Sequence, residues 1–273
     1  MPVVDFHVHV GLPEHYRPWV VDFMAEWYPG RNFDAYLRDM MTPERLIGHL
    51  DECGVDYAVA LGGLNPVTTG MIPNEYVLEF CRGTNRLVPF CNINPNLVSR
   101  PAEELERWVD AGCRGVKLYP TYQFFHPNDA RLYPLYARAE ALGIPVMFHT
   151  GSSVFRGSRL KYGDPVFLDD VAVDFPRLNL VQAHSGRGFW YAAAAFLAQL
   201  HPNVYMEISG LPPQNLLTYF PKLDKLTDKI IFGSDWPGPD IKANLDAIRA
   251  LGLGEPAVSN ILGGTAARLL GLR

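Results

Sequence analysis

The chain has 273 residues, of which 48% are hydrophobic and 19% are charged, and its formal net charge is −5. This composition provides enough apolar side chains for a sizeable core, and barrels of this length commonly fold as one domain. The acidic balance gives no support to a general nucleic-acid-binding role. No stretch approaches the ~20 continuous apolar residues of a membrane-spanning helix. The first residues lack a basic segment followed by a long apolar run, so no signal peptide is predicted.

Four cysteines are present and none of them forms a CxxC pair; they are Cys53, Cys81, Cys91 and Cys113. Each lies in an apolar stretch, where a free cysteine is usually buried and reduced. We therefore expect a protein of the reducing cytoplasm rather than a secreted protein that is stabilised by disulfides.

Short apolar segments recur along the chain, and most are followed by a longer helical pattern. Eight of them are predicted strands, at residues 3–10, 57–61, 87–93, 115–119, 145–150, 179–185, 204–209 and 230–235. Predicted helices between them include 43–54, 101–112, 133–143 and 189–200. Strands that alternate with helices form a parallel sheet. Eight such units predict an α/β fold, a distorted (β/α)₈ TIM barrel that forms a single domain over residues 1–273.

The segment 11–41 follows the first predicted strand and is long for a connection in a barrel. Its aromatic residues include Tyr16, Trp19, Trp27, Tyr28 and Phe33. A long ordered loop is usually functional, so this segment is predicted to be a loop insertion that covers the mouth of an active site. Packing between subunits is an equally good interpretation.

The first strand carries two histidines where a buried strand normally carries aliphatic side chains. Because side chains alternate across a strand, Asp5, His7 and His9 would share one face and the apolar residues between them the other. The apolar face would pack against the outer helices, which leaves the polar face inside the barrel, toward the end where barrel enzymes perform chemistry. Two imidazoles on one face can bind a single ion. For one histidine alone, a hydrogen bond to a backbone carbonyl is the better interpretation.

Three more polar side chains lie at the ends of predicted strands. His149 ends the fifth strand, His184 ends the sixth and Asp235 ends the eighth. In a closed barrel the carboxyl ends of the strands meet in one place, however far apart they are in sequence. Imidazoles together with a carboxylate suit Zn²⁺, and also Mn²⁺ or Fe²⁺. The pattern therefore predicts a divalent-metal site.

The motifs DFHVH, FHTG, AHSG, FGSDWP and ILGGTAARLLGL together resemble those of the amidohydrolase superfamily, in the amidohydrolase-related branch similar to aminocarboxymuconate-semialdehyde decarboxylase. The resemblance covers essentially the whole chain. The closing motif ILGGTAARLLGL departs from the family pattern, in which an Asn-Ala pair is commoner before the last helix. It implies one divalent metal ion, first of all Zn²⁺, bound by His7, His9, His149 and Asp235. It also implies that His184 holds and polarises the metal-bound water, and that the protein is a homodimer.

This set of residues suits hydrolysis, since a divalent ion lowers the pKa of bound water from about 15.7 toward about 7. Asp235 can pass the water's proton to a leaving group, and His184 can shuttle a proton. The leading interpretation is a metal-dependent hydrolase of a small carboxylated lactone, ester or amide. The alternatives are a metal-dependent non-oxidative decarboxylase of a small aromatic or unsaturated carboxylic acid, and a catalytically silent barrel that binds a small molecule.

Two inward residues on other strands allow more than one role. Lys117 lies on the fourth strand, where two-metal members of the superfamily carry a carboxylated lysine that bridges the ions. It is otherwise an unmodified amine that faces the substrate, or a member of a structural ion pair. Glu207 and Asp5 are predicted to lie behind the ligands, where Glu207 either orients His184 or pairs with a base.

Cationic and aromatic side chains are predicted around the mouth. Arg156 lies in the loop after the fifth strand, and Arg187 follows the sixth. Since a guanidinium grips a carboxylate with two hydrogen bonds, both are predicted contacts of a small anionic substrate; a solvated loop without a role is the alternative. Tyr119 and Trp236 are predicted to hold its ring or apolar body. No membrane or nucleic-acid partner is predicted.

Overall fold

A computed structural model describes residues 1–272. The strands are β1 Val4–His9, β2 Tyr57–Leu61, β3 Gly63–Asn65, β4 Gly70–Ile72, β5 Leu87–Asn92, β6 Gly115–Leu118, β7 Val146–Gly151, β8 Leu180–Arg187, β9 Val204–Glu207 and β10 Ile230–Ile231. Eight of them form a parallel sheet in the order β1-β2-β5-β6-β7-β8-β9-β10, and β3 pairs with β4 as a separate antiparallel hairpin.

Helices lie between most of the strands. The α-helices are α1 Pro18–Ala25, α2 Phe33–Met40, α3 Pro43–Cys53, α4 Asn74–Cys81, α5 Pro101–Asp110, α6 Pro120–Gln123, α7 Tyr133–Leu142, α8 Leu168–Asp174, α9 Tyr191–Leu200, α10 Leu216–Tyr219, α11 Ile241–Arg249, α12 Glu255–Ser259 and α13 Thr265–Leu270. A π-helix covers Asn260–Gly264, and short 3₁₀ turns cover Pro13–His15, Ala130–Leu132, Leu160–Tyr162, Pro165–Phe167, Pro213–Asn215 and Leu223–Lys225. None of the helices within residues 1–272 is long and apolar enough to cross a membrane.

The sheet closes where the chain after β10 runs beside β1. The N–H of Asp235 donates to the carbonyl oxygen of His7 (3.0 Å), and the N–H of His9 donates to that of Trp236 (2.9 Å). The predicted TIM barrel is therefore confirmed, with all eight strands and the four named helices near their predicted positions. The β3–β4 hairpin was not predicted.

A β-bulge interrupts the pairing of β1 with β2. Asp5 pairs with Ala58 and Val8 pairs with Ala60, so β1 advances by three residues where β2 advances by two. An extra residue of this kind reverses the alternation of side chains beyond it. The two halves of β1 therefore follow opposite patterns.

The bulge corrects the predicted faces of the first strand. Val4 and Phe6 belong to the cluster inside the barrel, whereas Val8 and Val10 pack in the outer layer. The interior cluster also contains Val59, Leu61, Val88, Phe90, Met147, Val181, Ala183 and Ile231. The prediction that Asp5 shares a face with both histidines is wrong, because Asp5 lies before the bulge and the histidines lie at it and after it.

The segment 11–41 contains α1 and α2 and is not an irregular loop. It is fixed against the β3–β4 hairpin, since Tyr16 forms an isolated bridge with Gly70, and Trp19 Nε1 donates to the carbonyl oxygen of Thr68 (3.0 Å). These contacts hold the amino-terminal half of the segment over the carboxyl ends of the strands.

Two glycines provide a matched test of close packing. A Cβ on Gly263 would lie 1.7 Å from the carbonyl oxygen of Pro2, whereas a Cβ on Gly48, inside α3, would meet nothing within 4 Å. We expect Gly263→Ala to lower the free energy of unfolding by roughly 1–3 kcal/mol, the usual cost of overpacking. Gly48→Ala should raise it by about 0.5–1 kcal/mol, since alanine favours helix. Urea denaturation measures both changes, and a stable Gly263→Ala variant would contradict the packing described.

Candidate metal centre and active site

The barrel brings five predicted residues together at the carboxyl ends of its strands. The ring centroids of His7 and His9 lie 5.1 Å apart. The ring of His184 lies 4.9 Å from that of His7 and 4.6 Å from that of His149. Oδ1 of Asp235 lies 3.2 Å from His9 Nε2 and 3.4 Å from His7 Nε2. Residues far apart in sequence therefore form one cluster.

Three members of this cluster are close enough to share an ion. One ligand atom from each of His7, His9 and Asp235 lies within 4.8 Å of the other two, whereas His149 is outside this group. His7 Nε2 and His149 Nε2 are both buried without a hydrogen-bond partner, although buried polar atoms normally have one. Imidazole nitrogens and a carboxylate are donors that Zn²⁺, Mn²⁺ and Fe²⁺ accept. The residues present therefore fit a divalent ion.

Burial controls the protonation of the histidines. It lowers the pKa of His7, His149 and His184 well below the usual range, so these imidazoles are neutral at pH 7. A neutral imidazole keeps one nitrogen lone pair, which is the form that binds a metal ion or accepts a proton.

Glu207 orients His7. Its Oε2 lies 3.1 Å from His7 Nδ1 and accepts a hydrogen bond from Ser209 Oγ (2.9 Å), while its Oε1 accepts one from the N–H of Ser209 (2.7 Å). When His7 donates its Nδ1–H to Glu207, its Nε2 lone pair is left for an ion. Glu207 thus contacts the ring of His7, and its hydrogen bond to His184 is accepted from the backbone N–H, at 3.4 Å.

Ser209 orients His184, a role that no feature of the amino-acid sequence indicates. The carbonyl oxygen of Ser209 lies 2.9 Å from His184 Nδ1. A carbonyl only accepts, so Nδ1 carries the proton and Nε2 of the neutral ring is free to accept one. A serine at the end of a strand is too common to stand out.

The backbone is strained at the same residues. His184, Ser185 and Asp235 have left-handed φ angles of 63°, 43° and 65°. Such a conformation costs a non-glycine residue roughly 1–3 kcal/mol, and residues that adopt it cluster at functional sites. The bond from the N–H of Asp235 to His7, and a bond of 2.9 Å from Ser185 Oγ to the carbonyl oxygen of Glu207, hold these positions.

Asp5 lies behind the cluster and accepts hydrogen bonds from backbone N–H groups. Its Oδ1 accepts hydrogen bonds from the N–H of His7 (3.1 Å) and the N–H of Ser234 (2.9 Å). Burial raises the pKa of Asp5 to about 7. The carboxyl group thus ties β1 to the segment that carries Asp235.

Lys117 is fully buried, and its Nζ has no hydrogen-bond partner. The amine lies 5.2 Å from the centre of the Tyr119 ring. Burial lowers the pKa of Lys117 to about 7 and raises that of Glu207 to about 7, while the opposite charges partly offset both effects. Lys117 does not line the cavity beside the cluster, so its predicted contact with substrate gains no support here. The bridging carbamate stays a prediction.

A cavity of about 530 Å³ opens beside the cluster. Arg187 lines it and donates from Nη2 to the carbonyl oxygen of Ser152 (3.1 Å). Tyr119 also lines it and donates its hydroxyl to the carbonyl oxygen of Gly62 (2.9 Å). The segment 11–41 lines part of the cavity through Tyr16, Val20, Phe23, Met24 and Trp27.

Two predicted substrate contacts lie elsewhere. Arg156 is exposed, and its guanidinium lies 5.9 Å from the centre of the Trp19 ring, outside the cavity. Trp236 is buried in the outer layer. Because Trp236 pairs with Val8, which itself faces outward, its ring points away from the barrel interior. The pairing of Trp236 with Val8 crosses the closure of the barrel, so the FGSDWP motif alone does not indicate the direction of this ring.

The contact between Glu207 and His7 can be tested. We expect Glu207→Gln to weaken metal binding roughly 10–100-fold, because an amide no longer fixes the proton on His7 Nδ1. Competition with a chromophoric chelator measures the affinity, and the exposed Glu255→Gln serves as the matched control. Equal affinities in the two variants would show that Glu207 does not orient a ligand.

Comparisons with known proteins identify the family and the fold. The model of the amidohydrolase family matches residues 4–272. The structure is similar to an uncharacterized TIM-barrel protein from Bordetella bronchiseptica, with a TM-score of 0.82 and 24% identity over 100% of this chain and 99% of that one. It is also similar to a probable 2-pyrone-4,6-dicarboxylic acid hydrolase from Acinetobacter baumannii (TM-score 0.67, 18% identity, 99% and 100% covered). A third similar structure is a dihydroxybenzoic acid decarboxylase from Polaromonas with bound manganese (TM-score 0.74, 18% identity, 99% and 97% covered). The structural likeness shows the fold, and the match of the family model over nearly the whole chain shows that the protein belongs to the amidohydrolase family.

Proposed function

We propose that the protein is a metal-dependent hydrolase of a small carboxylated lactone, ester or amide. The observation that carries this proposal is the convergence of His7, His9 and Asp235 within 4.8 Å, with a buried His7 Nε2 that has no hydrogen-bond partner. Membership of the amidohydrolase family and the similarity to a pyrone dicarboxylic acid hydrolase support it.

His7, His9, His149 and Asp235 would hold the ion, with Zn²⁺ as the first choice and Mn²⁺ or Fe²⁺ as alternatives. A divalent ion supplies Lewis acidity and lowers the pKa of water, so that water attacks a carbonyl at neutral pH. Asp235 accepts the proton of the attacking water and returns it to the departing oxygen or nitrogen. A single carboxylate serves this purpose because it can be reprotonated and deprotonated within one turnover.

Two further residues act directly on the substrate. His184 keeps its proton on Nδ1, at the carbonyl oxygen of Ser209, and can accept or return a proton at Nε2. Arg187 lines the cavity and binds the substrate carboxylate through its guanidinium. The acyl group is thereby oriented toward Asp235.

A non-oxidative decarboxylase is the second candidate. The similarity to a manganese-containing dihydroxybenzoic acid decarboxylase favours it. In that reaction the bond between a carbon atom and the carboxyl group breaks, CO₂ leaves, and Asp235 delivers a proton to the carbon atom. Both reactions use the same side chains, so product analysis has to separate them.

The test is turnover by the metal-loaded protein in H₂¹⁸O. A panel of carboxylated lactones, esters and amides is assayed beside the corresponding aromatic and unsaturated acids. Hydrolysis predicts one ¹⁸O atom in the released acid and no CO₂. Release of CO₂ with incorporation of a solvent proton would favour the decarboxylase instead, and turnover that is indifferent to metal would contradict both reactions.

A further inference from the structure

The charges of the cavity are concentrated beside the metal ligands. Among the described residues that line it, Arg187 is the only Arg or Lys, and Asp235 is the only Asp or Glu. A Cβ on Gly210 would lie 2.5 Å from Arg187 Nη1 and 3.0 Å from Asp235 Oδ2. The guanidinium and the carboxylate therefore flank the same point of the backbone, and Arg187 is the single cationic side chain that the described lining residues offer there.

One guanidinium matches one carboxylate. The bond from Arg187 to Ser152 goes to a neutral carbonyl, so the positive charge of the guanidinium remains available to a ligand. A planar guanidinium binds one carboxylate with two parallel hydrogen bonds. A second carboxylate on the ligand would meet no cationic side chain among the described lining residues, and a desolvated charge without a partner is costly.

Much of the remaining wall is apolar. Helix α1 contributes Val20, Phe23 and Met24, and Leu211 also lines the cavity. Phe155 packs edge-on against Phe23, with 5.3 Å between the ring centroids. A wall of this kind gains free energy by covering apolar ligand surface.

Hydrogen bonds to the β3–β4 hairpin fix the amino-terminal end of helix α1. Trp19 Nε1 donates to the carbonyl oxygen of Thr68, and Arg17 Nε donates to that of Pro66 at 3.0 Å. Both acceptors lie in the turn between β3 and β4. A wall that stays in place presents the same apolar surface to every ligand, so a longer apolar body covers more of it and binds more tightly.

We infer that the cavity takes an organic anion with one carboxylate and an extended apolar body, and that Phe23 on α1 senses the length of that body. The inference rests on the proposed function in placing the substrate here. It adds that a monocarboxylate is preferred over a dicarboxylate of equal length.

The experiment measures binding and does not require turnover. Butanoate, octanoate and octanedioate are titrated calorimetrically into the Zn²⁺-loaded protein. Octanoate should bind at least tenfold more tightly than butanoate, because each buried methylene strengthens binding by up to about fourfold. Octanedioate should bind at least tenfold more weakly than octanoate. Equal binding of the two monocarboxylates, tighter binding of octanedioate, or no binding of any acid would overturn the inference.

Variants assign the two parts of the site. Phe23→Asn should bring octanoate to within about threefold of butanoate and leave butanoate unchanged, whereas Phe196→Asn, at an exposed phenylalanine on α9, should change neither. Arg187→Gln should weaken both monocarboxylates by about tenfold. If Phe23→Asn does not fold, Trp27→Ala provides the same test at an exposed residue of the same wall. Octanoate that still binds at least tenfold more tightly than butanoate in the Phe23→Asn variant, or in the variant that replaces it, would also overturn the inference.

The two proposals can fail separately. Tight, length-dependent binding of octanoate without hydrolysis of any ester, lactone or amide would contradict the proposed function and support the ligand class inferred here. Hydrolysis that shows no dependence on chain length would do the reverse.

Discussion

Replacing Asp235 with asparagine is expected to lower kcat by roughly 10²–10⁴-fold, the usual contribution of a general acid–base group. The carboxamide has nearly the same shape but cannot accept the proton of an attacking water. The backbone bond from residue 235 to His7 does not depend on the side chain, so the barrel should remain folded. Loss of turnover would then report on chemistry and not on unfolding.

The measurement is kcat for Asp235→Asn at saturating metal, together with metal content and the unfolding temperature. Asp110→Asn, at the exposed end of α5, is the matched control and should keep the wild-type rate. A rate near that of the wild type in Asp235→Asn would remove Asp235 from the mechanism, whatever its position beside His7 and His9.

Removal of metal is expected to abolish turnover and to lower the stability of the protein. An ion that binds only the folded state stabilises it by about 2.7 kcal/mol when its free concentration is 100 times its dissociation constant. His7, His9 and Asp235 supply the donors for such an ion. Dialysis against a chelator should therefore lower both kcat and the unfolding temperature, and added Zn²⁺ or Mn²⁺ should restore them.

A parallel dialysis against the same chelator already saturated with Zn²⁺ controls for effects of the chelator itself. Calorimetric unfolding and the turnover assay are run on both samples. Full activity in protein shown by elemental analysis to contain no metal would contradict the mechanism and would require a metal-free role for the histidines.

The barrel itself was predictable from the order of apolar segments. Alternating strands and helices, with helix ends at residues such as Gly54 and Gly143, carry their signal locally. Both glycines have the left-handed φ that ends a helix, 75° and 67°. The convergence of His149, His184 and Asp235 followed from closure, because a closed barrel brings all its strand ends to one place.

The orientation of individual side chains was less predictable, because it depends on partners far away in sequence. The bulge in β1 is defined by how Asp5 and Val8 pair with β2, and the residues of the VVDFHVHV segment do not by themselves indicate it. The outward direction of Trp236 follows from a separate contact, its pairing with Val8, whereas the bulge places Phe6 in the interior. Alternation counted from one end of a strand cannot detect such a change.

The contacts that Glu207 and Ser209 make behind the ligands could not be predicted from the sequence either. Glu207 and Ser209 reach His7 and His184 only because β9 lies beside β8 and the end of β9 approaches β1. The inward direction of Glu207 was predictable by alternation, but the histidine that it contacts was not. The aromatic residues of 11–41 allowed two interpretations, a cover over the mouth or packing between subunits, whereas α1 and its contacts with the β3–β4 hairpin required the fold.

Metal content per chain tests the central claim most directly. The protein is purified without chelator or added metal and subjected to elemental analysis against its concentration. About one Zn, Mn or Fe per chain is the predicted result, and it would support a single ion at His7, His9 and Asp235. About two ions per chain would instead support the interpretation in which a carboxylated Lys117 bridges two metal ions. No metal, in a protein that neither binds nor is activated by added metal, would contradict the account.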